Sequence, residues 1–229
     1  MSSSGPNSPG TGSTAARAGS AGLWTNPSNV TASDNSYVTG SGLSGSGPTY
    51  TNYLTATNFG FAVSGTIDGI VVEIERKAIG GIPYHLKDSI LSLIKGGTIS
   101  GDNKASGTDW DATETYYSYG SSSDLWGLTL ADTDVNASNF GVALSIGAGA
   151  TGKDSAAGVV DHIRMTVYYT AGGAAGQPTS KRFGGVPFMG AHGAGIPSAV
   201  RQWMRRDSGL IAPRQQVATA IWRPAHGID

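Results

Sequence analysis

With no cysteine among its 229 residues, the chain has no thiolate for a metal, no catalytic thiol and no disulfide framework. Its four histidines are His85, His162, His192 and His226. None lies four residues from another, the spacing that sets two imidazoles on one helical face for zinc. His162 follows Asp161, so an Asp–His contact is open to it, but a turn or surface histidine is the simpler reading and it is assigned no role. Carboxylates one residue apart occur at Asp109 and Asp111 and at Asp132 and Asp134. Such pairs can contribute to a calcium loop, yet neither leads to the bidentate Glu that closes one, and turn capping is the expected use. A glycosidase needs two carboxylates across a cleft, and nothing else in the chain points to one. The glycines from Gly40 to Gly47 lack the Lys and Ser/Thr of a phosphate-binding loop, and no serine sits in a nucleophile elbow. The expectation is a protein that is not an enzyme, with no catalytic residue, no cofactor and no metal.

The aromatic residues Trp110, Tyr116, Tyr117, Tyr119 and Trp126 fall close together. Exposed aromatic faces flanked by Asp and Asn stack on sugar rings, so Trp110, Tyr117 and Trp126 are the candidate glycan-binding residues. The competing and simpler reading is core packing beneath a long loop. A carbohydrate-binding module that recognises a host surface is therefore the alternative function.

The elements that would carry these side chains are short strands. Glycine reaches 35 residues and charged residues only 14%, against roughly 25% in an ordinary soluble domain. Residues 67–76 alternate, with Ile70, Val72 and Ile74 on one face and Glu73 and Glu75 on the other. Residues 163–170 alternate likewise, Ile163, Met165, Val167 and Tyr169 inward and Arg164 and Thr166 outward. Further strands are predicted over 89–95, apolar on both faces and hence central, and over 140–146, 53–57 and 115–119. A weak repeat relates residues 57–64 to 138–145, each followed by an aliphatic–Asp strand opening at Ile67-Asp68 and Val160-Asp161. It predicts two similar hairpins, with Asp68 and Asp161 in turns. The expected fold is all-β, an antiparallel β-sandwich of jelly-roll type over residues 23–171.

Residues 1–22 are nearly all Ser, Gly, Thr, Pro, Asn and Ala, and are expected to be an extended N-terminal arm, mobile unless a partner surface orders it. They lack the apolar stretch of a secretory signal, and no run of about 18 apolar residues offers a membrane span. No membrane is expected among the partners, and a protein made in the cytosol is the reading. Residues 172–229 change character. Fourteen acidic against eight basic residues up to Ala171 give −6, whereas seven basic against two acidic from Gly172 give +5. After the linker 172–178 come apolar anchors among glycines and prolines, with one short helix predicted over 198–206. Anchors without an independent core describe a largely irregular C-terminal extension that orders against a partner, through Phe183, Phe188, Arg201, Trp203, Arg205, Arg206 and Trp222. A protein surface fits better than nucleic acid as that partner.

The succession Leu23-Trp24-Thr25-Asn26-Pro27, Asn58-Phe59-Gly60-Phe61, Ile67-Asp68-Gly69-Ile70, Asp124-Leu125-Trp126-Gly127, Asn139-Phe140-Gly141-Val142 and Val167-Tyr168-Tyr169 resembles small β-sandwich structural proteins of tailed bacteriophages. Lys181-Arg182-Phe183-Gly184-Gly185-Val186-Pro187-Phe188 is similar to the ends of phage structural proteins. The resemblance implies a virion component, assembled in the host cytoplasm from copies of itself and other virion proteins. Capsid decoration, neck, and tail or fibre are all compatible with it.

Overall fold

Period-two alternation builds two antiparallel sheets whose apolar faces meet. The computed structural model describes residues 1–43, 49–80, 86–148 and 157–172. In chain order the strands are β1 (Ser2–Asn7), β2 (Thr11–Ala15), β3 (Leu23–Thr25), β4 (Val38–Ser41), β5 (Thr49–Tyr50), β6 (Tyr53–Thr57), β7 (Gly65–Ile79), β8 (Leu86–Lys95), β9 (Thr98–Ser100), β10 (Thr115–Ser121), β11 (Gly141–Ala148) and β12 (Ala157–Ala171). A 3-10 turn (Pro27–Val30) and a single-turn helix α1 (Asp132–Val135) join them. One sheet has the order β10-β7-β12-β4-β3, with β1 also paired to β12; the other has β2-β6-β11-β8-β9, with β5 also paired to β11.

The two longest strands, β7 and β12, pair along nearly their whole lengths at the centre of the first sheet. Ile70, Val72 and Ile74 of β7 and Ile163, Met165 and Val167 of β12 are all fully buried, facing Leu91 and Leu93 of β8 and Val142, Leu144 and Ile146 of β11 in one continuous core. Burial of such side chains contributes about 1.5–3 kcal/mol each. β11, buried at every position, lies between two neighbours. The predicted central strand, β8, is flanked by β11 and the three-residue β9.

The repeat has a different meaning from the predicted hairpins. β6 and β7 belong to different sheets, as do β11 and β12, so each copy crosses between the layers, while β6 pairs with β11 and β7 with β12. In the first copy residues 58–64 are irregular: Asn58 turns the chain at φ 61°, and Phe59, Phe61 and Val63 enter the core without a ladder. In the second copy the strand begins at Gly141, where a Cβ would stand 2.0 Å from the Ala56 carbonyl oxygen, so only glycine allows this approach. Asp68 and Asp161 lie inside β7 and β12, not in turns.

Residues 1–22 correct the expectation of a mobile arm. β1 hydrogen-bonds to β12, with Ser2 opposite Tyr169, and β2 pairs with β6 from Thr11–Thr57 to Ala15–Tyr53. The sandwich therefore starts at Ser2 rather than at Leu23, and the compact unit runs Met1–Pro178. Main-chain pairing does not require apolar side chains, which is why composition alone misses it. Side chains add to the attachment: Asn7 donates to the Phe59 carbonyl at 2.9 Å, and Arg17 reaches Ser145 Oγ at 2.6 Å and Ser89 Oγ at 3.0 Å with its guanidinium over the Tyr50 ring. The C-terminal extension, including the predicted helix over 198–206, lies outside the described residues.

Candidate functional site

Two polar constellations stand out, one between the sheets and one on the outer side of the first. Arg76 continues the inward series Ile70, Val72, Ile74 along β7 and is 1% exposed. Its Nε donates to the Tyr119 hydroxyl at 3.2 Å, and its Nη2 lies 3.8 Å from Asp88 Oδ2 on β8 of the opposite sheet. Asp88 also accepts from Tyr119 OH at 2.7 Å, Trp110 Nε1 at 2.8 Å and the Ser106 amide at 3.1 Å. The guanidinium is sandwiched by the Trp110 and Tyr117 rings, 4.3 and 3.9 Å from their centroids. Burial pushes the Tyr119 hydroxyl far up, and the charge of Asp88 adds to that, so it stays a donor. This network ties the layers together through charge-assisted hydrogen bonds.

The same geometry overturns the candidate glycan platform. Trp110 and Trp126 are 2% and 0% exposed, and their indole N–H groups are taken by Asp88 and by the Ile70 carbonyl. Neither offers a face to a sugar ring. Tyr117 is half-buried, with its ring against Arg76 and its hydroxyl donated to Asp111. Trp110 and Trp126 are core: Trp110 packs on the Arg76–Asp88 pair, and Trp126 donates to the Ile70 main chain.

The remaining carboxylates named from the sequence are taken up by structural partners. Asp109 pairs with Lys87 at 3.5 Å. Asp132 accepts the Gly65 amide, and Asp134 accepts the Ala131 amide at the start of α1 while pairing with Lys95 at 3.1 Å. Only Asp134 fills the expected cap; Asp109 and Asp132 reach partners far along the chain.

The outer constellation was not anticipated. A bulge in β12 sets both Asp161 and His162 against Glu75 of β7, so two successive residues reach the outer side where one would in a regular ladder. Glu114, just ahead of β10, completes the group: one carboxylate oxygen from each of Glu75, Glu114 and Asp161 lies within 4.8 Å of the others. Around them, Lys77 donates to Glu114 Oε2 at 2.6 Å and to the Tyr37 hydroxyl at 2.9 Å, and Tyr37 donates to the same Glu114 oxygen at 2.7 Å. Arg164 grips Glu73 through two hydrogen bonds of 2.8 and 2.9 Å and lies over the Tyr116 ring. His162 is held at both nitrogens, Nδ1 by Tyr116 OH and Nε2 by Ser8 Oγ, each at 2.9 Å.

The electrostatics follow from burial and these partners. Burial works to raise the Glu114 carboxyl, but the hydrogen bonds from Lys77 and Tyr37 outweigh it and hold the group below its ordinary range. Burial raises Asp161; the backbone amides of Asn35 and Asp34 pull the other way, and the charges of Glu75 and Glu114 push it up again. Burial lowers His162 against the pull of Glu75, so its imidazole is neutral at pH 7. The sequence signal was confined to Glu75 on the outward face of a strand and to the Asp161-His162 pair. Their meeting with Glu114 depends on the pairing of β10, β7 and β12.

His85, His192 and His226 lie outside the described residues, as do Phe183, Phe188, Arg201, Trp203, Arg205, Arg206 and Trp222. No family model matches the chain, and comparison with curated proteins and with solved structures likewise gives no match.

Proposed function

We propose that this chain is a non-catalytic structural subunit of a tailed-phage virion, with a body of jelly-roll type and a C-terminal extension that docks on neighbouring subunits. The jelly-roll reading rests on strand order. Among β4, β6, β7, β8, β9, β10, β11 and β12, the first, eighth, third and sixth lie side by side in one sheet as β4-β12-β7-β10, and the second, seventh, fourth and fifth in the other as β6-β11-β8-β9. That is the order produced when a long hairpin of paired strands wraps into two layers.

The observation that carries the structural role is the division of labour within the chain. Residues Met1–Pro178 supply one core and cover strands of both sheets with their own N-terminal segment, leaving the basic, Trp- and Arg-bearing segment beyond them to act outward. The acidic body, at −6, and the tail, at +5, are complementary, so the tail of one copy fits the body of a neighbour or another acidic virion protein. Anchoring through both termini was the sequence expectation; with β1 and β2 paired within the chain, the proposal places it in residues 173–229. Capsid decoration, neck and tail or fibre positions all accommodate such a subunit. The alternative of a carbohydrate-binding host-recognition module loses its platform with the burial of Trp110 and Trp126.

The test is incorporation. Phage particles purified from cells expressing either the full chain or residues 1–172 should contain the full chain at a fixed stoichiometry by quantitative mass spectrometry, and none of the truncated form. Incorporation of both forms alike removes the anchoring role, and absence of the full chain from particles removes the virion reading.

A further inference from the structure

The outer cluster is oversupplied with negative charge for the partners it has. Four carboxylates, Glu73, Glu75, Glu114 and Asp161, are met by two cations, Lys77 and Arg164, each already committed to one of them. His162 adds no charge, both its nitrogens being engaged with neutral hydroxyls. Two of the four carboxylates, Glu75 and Asp161, are therefore without a cation of their own; Asp161 is buried as a whole residue and Glu75 only in part. Asp161 is 2% exposed and its Oδ1 is buried with no hydrogen-bond partner; Glu75 Oε2 is likewise buried and without one. A buried carboxylate oxygen left without a donor is costly, and removing a partner from a desolvated charge is among the most damaging changes a fold can suffer. A fold that sets such an oxygen of Asp161 beside one of Glu75 gains by placing a positive charge between them.

We propose that Glu75, Glu114 and Asp161 form a binding site for one hard divalent cation, calcium before magnesium, on the outer side of the first sheet. All three donors are oxygen, the ligand type of calcium and magnesium and not of softer metals. Oxygens on opposite sides of an ion bound at about 2.4 Å stand about 4.8 Å apart, the limit within which these three lie. Magnesium, at about 2.1 Å, needs a tighter and octahedral set. The ion joins β7, the bulge of β12 and the residue ahead of β10. Through the Asp161 carboxylate, towards which the Asn35 and Asp34 amides point, it also fixes the loop leading to Tyr37. Its place in the molecule is that of a clamp on this face of the sandwich.

Terbium, which replaces calcium and luminesces when nearby tyrosines are excited, tests the site on the full chain after removal of metals with EDTA. Tyr37 and Tyr116 are neighbours of the cluster, so saturable luminescence that calcium displaces at lower concentration than magnesium is expected. Glu75→Gln and Asp161→Asn, which keep shape and remove charge, should each cut the signal at least tenfold. Calcium at a hundredfold excess over its Kd should raise the melting temperature of the wild type by roughly 5–10 °C and leave both variants unmoved. In EDTA the variants should melt at or above the wild type, since they relieve repulsion. Native mass spectrometry of the wild type should show one calcium per chain and needs no variant. No retained calcium and no displaceable luminescence overturns the site, leaving a shared proton between Asp161 and Glu75 as its neutralising device. An undiminished response in the two variants overturns it equally.

Discussion

Arg76 shows how a single residue defeats alternation read as hydrophobicity. It occupies an inward position where Ile or Val would be expected, and it is tolerated because Asp88 of the opposite sheet, Tyr119 and Tyr117 of the neighbouring β10 and the Trp110 ring surround it. Asp88→Ala strands the guanidinium and leaves the Trp110, Tyr119 and Ser106 donors without an acceptor, and should cost about 3–5 kcal/mol. The double change Arg76→Met with Asp88→Leu should cost clearly less, because no buried charge is left behind. Urea denaturation of the single and double variants measures both. His162 gives a pH signature. Its folded value lies below the ordinary 6.5, so the stability of the neutral form is intact above pH 6.5 and is lost as pH falls through that value towards the lowered one. Melting temperatures of wild type and His162→Gln should converge as pH is lowered from 7.5 to 5, against a pH-independent gap if the imidazole does not titrate differently on folding. Glu75 and Asp161 were legible as single features, an outward Glu and an Asp beside a His. Their approach was not, because a one-residue bulge in β12 redirects Asp161 and no local pattern announces a bulge.

At the scale of elements, strands marked by alternation or by an apolar run could be read from sequence and strands with neither could not. β6, β7, β8, β10 and β11 were placed within a few residues, while β12 was read only from Ile163 although it begins at Ala157. β1 and β2 carry Ser, Gly, Thr and Asn, and their stabilisation comes from the main chain, to which composition is blind. The repeat was visible, but its meaning changed: a hairpin and a crossing between sheets begin with the same Asn-Phe-Gly, and only the partner strand distinguishes them. Removal of residues 1–15 should uncover hydrogen-bonding groups on β12 and β6 and bring aggregation together with a lower melting temperature, as unpaired edges invite intermolecular pairing. Gly12→Val offers a milder probe. A Cβ there would lie 2.0 Å from the Pro27 carbonyl oxygen, so β2 must lift from the 3-10 turn, and hydrogen exchange should accelerate at Thr11–Ala15 while β7 and β12 stay protected. Unchanged exchange in β2 would mean the strand is not held there.

The whole molecule divides by charge. Residues Met1–Pro178 have a core and an inter-sheet ion pair, whereas the segment beyond carries a net positive charge and is rich in Gly and Pro. The fold class was readable because strand patterning repeats many times along the chain, and the charge division because it is additive. The docking role remains a proposal built on the charge and residue types of the C-terminal segment. The most direct test compares residues 1–172 with the full chain by light scattering coupled to gel filtration, with thermal unfolding monitored in parallel. The account predicts that residues 1–172 form a monomer that melts cooperatively within a few degrees of the full chain, while the full chain alone forms larger, salt-sensitive assemblies. A truncated protein that unfolds, or that assembles as the full chain does, would contradict it.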